Sequence, residues 1–92
     1  MDNQHRKITG YRELTQAELD LINKIKATGL QLEALCGELQ MHITAQNIAT
    51  LGKDEQARLD AAQPGRWLAL ARTDFQTGLM AAVRAVAQPA GF

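Results

Sequence analysis

The chain has 92 residues, 46% of them apolar, and its ten basic residues balance ten acidic ones. That length allows one small domain spanning residues 1–92, the apolar share excludes a disordered chain, and zero net charge excludes a general DNA or RNA binder, which needs a basic excess. The single cysteine, Cys36, leaves no internal disulfide and suits a reducing cytoplasm. The opening run "MDNQHRK" is polar with no apolar run behind it, so neither a signal peptide nor a membrane span is expected.

Taken in chain order, the predicted elements are all helical. Thr15 followed by Glu18 fits a capping box, with Leu14 and Leu19 at the staple positions that flank it. Beyond this start, Ile22, Gly29, Cys36 and Ile43 recur seven apart, and Ile25, Leu32 and Leu39 interleave with them. This heptad seam of about three repeats is typical of antiparallel helices packed side by side. The helix should fade near Thr50, where "LGKDEQ" brings a glycine and then charge. Residues 52–63 form a connector, with "EQARLDA" able to make a helical turn. Pro64 suits a first helical turn, so a second long helix is predicted from there to Ala87, closed by Pro89 and Gly91.

The second long helix carries more apolar surface than a hairpin can hide. Leu68, Phe75, Leu79, Ala82 and Val86 form one stripe; Trp67, Ala71, Gly78, Ala81 and Ala85 form another, built mostly of small residues. Two helices share one inner seam, so one stripe is left for another chain. A chain this short also buries little surface by itself. The expectation is an obligate oligomer of helical hairpins. The alternative is a monomeric three-helix bundle whose short third helix lies in residues 1–12 or 52–62.

No catalytic constellation is present in the sequence. His5 and His42 are far apart, Glu38 and His42 supply only two metal ligands at helical spacing, and Cys36 falls on the seam as a small core residue. No glycine-rich phosphate loop occurs. Neither a catalytic residue, a metal nor a cofactor is expected. What remains is a cluster around the first helix start: Tyr11 and Arg12 before it, then Lys24, Lys26, Thr28 and Gly29 within it. Two readings of these residues stay open. Tyr11 can be a hydrophobic lid beside a solvated basic face. Alternatively, an aromatic ring to stack on a base, cations for phosphates and a hydroxyl for orientation meet the needs of a small nucleotide ligand.

The stretches "YRELTQAELDLINKIKATG" and "RWLALARTDFQTGLMAAVRAVAQP" closely resemble the phage anti-CBASS cyclic-oligonucleotide sponges. The resemblance covers roughly residues 5 to 89 and is weakest in the connector. It implies an all-α fold, a short N-terminal segment plus two long antiparallel helices, assembled as a homohexamer. It also implies capture, without cleavage, of cyclic dinucleotides such as 3′,3′-cyclic GMP-AMP and of cyclic trinucleotides, in the host bacterial cytoplasm during infection. By the same resemblance, Tyr11 matches a base-stacking tyrosine, Lys26 a phosphate-binding lysine and Thr28 a nearby threonine, in a dinucleotide pocket between protomers. A separate trinucleotide site uses an arginine at the start of the last helix, matched by Arg66, with Arg72 a turn and a half later. Its second polar contributor falls near Arg12. The other function class is a small helical interaction module that binds a host protein through the spare stripe.

Overall fold

Thr15 opens the first helix in the way its sequence requires. Its backbone is extended, its hydroxyl accepts the Glu18 amide at 3.2 Å, and its own amide donates to Glu18 Oε1 at 2.8 Å. The capping box thus satisfies two amides that the first helical turn would otherwise leave without partners. The computed structural model describes residues 12–91, and the regular elements within them are all helices: α1 (Gln16–Thr50), α2 (Glu55–Ala62) and α3 (Pro64–Ala87).

α1 has 35 residues and is therefore about 52 Å long. Thr50 ends it, folding its hydroxyl back to the Gln46 carbonyl at 2.9 Å. Gly52 then turns the chain at φ 73°, a left-handed value that glycine adopts without steric cost. α2 occupies the stretch expected as a connector with a helical turn, and it lays Leu59 into a buried position. Gln63, itself left-handed at φ 52°, closes α2 and opens α3. Pro64 follows at the first helical position, where its missing amide hydrogen would have had no helical partner. α3 runs back antiparallel to α1 and ends at Ala87, where the Gln88 amide bonds the Arg84 carbonyl at 2.8 Å.

The core is thin. Cys36 and Ile43 of α1 meet Leu68 of α3, with Phe75 packed against them. Ile22, Ile25 and Leu32 are half-buried along the same seam. Leu39, expected on this seam, is 41% exposed. A single partner helix covers a narrower strip than a full heptad seam requires, and Leu39 falls on its flank. On α3 the first stripe faces inward: Leu68 is buried, and Phe75, Leu79, Ala82 and Val86 are half-buried. The second stripe faces out. Trp67, Gly78, Ala81 and Ala85 are exposed, and only Ala71 is half-buried. Large apolar residues stand in solvent as well, Leu30 at 69% and Met80 at 72% exposure. The chain is a rod of 65 × 23 × 17 Å with a radius of gyration of 19.8 Å, against about 12 Å for a globular domain of this length.

Gly29 of α1 faces Leu79 of α3. A glycine at a seam position of a long helix invites close approach by another backbone; here a side chain takes the space. A Cβ added to Gly29 would lie 3.1 Å from Leu79 Cδ1. The missing methyl group makes room for the leucine. Since Leu79 can shift its tip, Gly29→Ala should fold well: helix propensity returns about 1 kcal/mol and offsets the small repacking. Gly29→Leu should cost about 1–3 kcal/mol by overpacking. Chemical denaturation of both variants checks this. A destabilised alanine variant would mean that Leu79 has no room to move.

Candidate functional site at the helix ends and the interhelical groove

At the open end of the hairpin, one arginine ties the start of α1 to the end of α3. The Arg12 guanidinium pairs with both carboxylate oxygens of Glu18, at 3.1 Å to Oε1 and in closer contact with Oε2. It also donates to the Val86 carbonyl at 2.9 Å. Two helix dipoles meet here with opposite ends. Glu18 puts negative charge at the positive N-terminus of α1, and Arg12 puts positive charge at the negative C-terminus of α3. The paired guanidinium, followed by the Thr15 amide, holds the Glu18 carboxyl down at about 2 against its ordinary 4.5, and the same pairing raises Arg12.

Farther along the hairpin, a groove of about 810 Å³ runs between α1 and α3. Its walls are largely apolar, with Ile25, Leu32, Phe75 and Leu79 among them, and Lys26 and Arg72 bring cations to its edges. No carboxylate among the described residues pairs with Lys26. Thr28 is exposed, and its hydroxyl donates to the Lys24 carbonyl at 2.9 Å. Two residues apart on a helix, Lys26 and Thr28 are rotated by about 200° and point to nearly opposite sides.

Arg66 lies at the other end, in the first turn of α3, with its guanidinium carbon 5.3 Å from the centre of the Trp67 ring. Within one chain Arg12 and Arg66 do not meet. Arg12 touches Val86, and roughly 30 Å of helix axis separates Val86 from Arg66. Tyr11 lies outside the described residues, as does His5. Glu38 and His42 are both exposed, and among the described residues no group of three His, Cys, Asp or Glu side chains gathers to hold a metal. No helix among them is long and apolar enough to cross a membrane.

Two partners of the site escaped sequence reasoning. Glu18 is legible as a cap but not as the counter-ion of Arg12. The Val86 carbonyl is a backbone group 74 positions away from Arg12 and leaves no sequence signal. Arg72, Phe75 and Gln76 come to line the same groove as Lys26 only once the hairpin closes.

Similarity to known proteins extends along nearly the whole chain. Residues 3–87 match the family model described as the Acb2/Tad1 hairpin domain. The chain is 47% identical to Anti-CBASS protein 2 of Pseudomonas phage JBD67 in an alignment that covers 99% of each. The chain belongs to the Acb2/Tad1 hairpin-domain family.

The Glu18 shift makes a pH prediction. Its folded-state value lies below its ordinary one, so its stabilisation is present above about pH 4.5 and fades as the pH falls through about 2. Glu18→Gln keeps a side chain that serves in a capping box but cannot pair as an anion. The wild type should therefore melt higher than Glu18→Gln at neutral pH, and the gap should close between about pH 4.5 and about pH 2. Thermal melts of both proteins across that range decide it. A gap that does not change with pH would remove the carboxylate from the account.

Proposed function

We propose that this chain is a phage immune-evasion protein that sequesters the cyclic nucleotide messengers of bacterial CBASS immunity without cleaving them. The observation that carries this reading is the near full-length, 47% identity to a protein named for opposing CBASS. As an anti-CBASS sponge, the chain works in the host cytoplasm during infection as one domain over residues 1–92. Its ligands are cyclic dinucleotides, such as 3′,3′-cyclic GMP-AMP, and cyclic trinucleotides.

In the dinucleotide pocket, Tyr11 stacks on a base, Lys26 takes a phosphate and Thr28 orients the ligand. Lys26 is suited to this because it is exposed at the edge of a groove with no ion-pair partner among the described residues. The opposed directions of Lys26 and Thr28 favour a pocket closed by two copies, each offering a different side of α1. Trinucleotides bind at a second site through Arg66, with Arg12 as its second cation. The separation of these arginines in one chain again favours a site shared between copies. Association of copies meets the same need and covers the outward stripe of Trp67, Ala71, Gly78, Ala81 and Ala85; that the copies number six, a homohexamer, is what the family resemblance implies. Sequestration then asks for tight, rigid capture and no reacting group, since a preorganised site loses little entropy on binding.

Assembly is the first test. Light scattering should give about six times the 10.1 kDa chain mass. Gly78→Leu should lower it, because a Cβ at Gly78 meets nothing within 4 Å among the described residues, so the added bulk falls on the face left for a neighbouring copy. A monomeric wild type would sink both the hexamer and the shared pockets.

Ligand binding is the second test. Tyr11→Ala removes stacking worth about 1–3 kcal/mol per base, and Lys26→Ala removes a charge-assisted contact worth about 1.5–3 kcal/mol. Each should weaken 3′,3′-cyclic GMP-AMP binding roughly ten- to a hundredfold with the melting point unchanged. Calorimetric titration beside a thermal melt reads both. Digestion of the loaded, washed wild type should then release intact ligand. Silence with every cyclic nucleotide would favour the interaction-module reading, for which the exposed Leu30 and Met80 are the natural surface.

A further inference from the structure

We propose that Trp67 is the base-stacking residue of the site to which Arg66 belongs. The proposal rests on the reading of Arg66 as a phosphate contact and adds to it the group that recognises the base. Trp67 is the only tryptophan in the chain, and it is 60% exposed although it is the largest apolar side chain of α3. Its stripe is otherwise Ala71, Gly78, Ala81 and Ala85, residues that let another helix approach closely. An indole in the first turn, at the end of that stripe, does not serve close approach.

The ring already holds a cation. Arg66 lies over it at 5.3 Å, within the range where the ring's negative face attracts a guanidinium. Arg66 covers at most one face of the indole, and the 60% exposure leaves much of the remaining ring surface open. Gly65 beside them has no side chain, and nothing lies within 4 Å of where its Cβ would be, so access from that side is clear. A flat π surface next to a prepaid cation suits a nucleotide: the base lies on the indole while the guanidinium takes the adjoining phosphate, forked donors toward its oxygens. The site lies far from Lys26: Leu79 packs on Gly29, one turn from Lys26, and roughly 20 Å of helix axis separates Leu79 from Arg66. Trp67 therefore serves the trinucleotide site and not the dinucleotide pocket.

Because Trp67 is the sole tryptophan, its fluorescence reports on this site alone. The full-length protein is titrated with cyclic tri-adenylate and, separately, with 3′,3′-cyclic GMP-AMP, following heat and tryptophan emission together. Cyclic tri-adenylate should change the emission with the midpoint seen in the heat. Trp67→Ala should weaken its binding about ten- to a hundredfold, Trp67→Phe should recover much of the loss, and both should keep the wild-type mass and dinucleotide affinity. Normal trinucleotide affinity in Trp67→Ala, beside a loss in Arg66→Ala, would overturn the role of Trp67 and leave the Arg66 site standing. A fall in assembly mass in Trp67→Ala would assign the ring to packing between chains and overturn the proposal too. Wild-type protein that takes up no cyclic tri-adenylate would overturn the Arg66 reading, and the Trp67 role with it.

Discussion

Two antiparallel helices share one seam, and the rest of this molecule is shaped by that limit. Cys36, Ile43, Leu59, Leu68 and Ala87 are the buried apolar residues among those described, a small core for a rod 65 Å long. Apolar burial stabilises by roughly 25 cal/mol per Å², so surface left outside the seam contributes nothing until something covers it. Trp67, Leu30 and Met80 are such surface. In the proposed assembly, the covering comes from further copies of the same chain. Stability and the ligand sites would then depend on the same contacts.

The Arg12 clasp answers a second problem of a hairpin, its open end. α2 and the turns at Gly52 and Gln63 hold one end of the rod covalently. At the other end α1 begins and α3 stops with no chain joining them. Arg12 supplies the link there, through Glu18 on one side and the Val86 carbonyl on the other. Exposed ion pairs are individually weak because water screens them. This one gains from a bidentate fork, from a carboxylate already fixed by the cap, and from two helix termini whose dipoles favour the charges it brings. A lysine at position 12 would keep the charge and lose the fork.

Local chemistry made the helices legible. Thr15 and Glu18 predict the start of α1, the glycine after Thr50 its end, and Pro64 the start of α3, because caps and breakers act within a few residues. The surplus stripe on α3 was legible for the same reason, as periodicity along one helix. Contacts that cross the seam were not. Gly29 announced a close approach, but whether a backbone or the Leu79 side chain filled the gap depended on register. Leu39 obeyed the heptad yet fell outside the strip that one partner helix covers. Of the candidate site residues, Lys26, Thr28, Arg12 and Arg66 could be named from resemblance. Their directions could not, and Tyr11 lies outside the described residues.

Those directions carry the most weight for how the proposed sponge would work. Lys26 and Thr28 diverge around α1, and Arg12 and Arg66 stand at opposite ends of the rod. On the proposed assignment, one chain would present halves of two different pockets and complete neither. If a ligand must touch two copies at once, its binding energy adds to the energy that holds those copies together. Capture would then tighten the assembly, and assembly would preorganise capture, with both effects governed by one coupling free energy. That coupling would suit the proposed sponge, which holds its ligand without cleaving it. A messenger held by contacts from two copies would lose half of them whenever the copies separate, so a tight assembly, with no chemical step, would keep it from its effector.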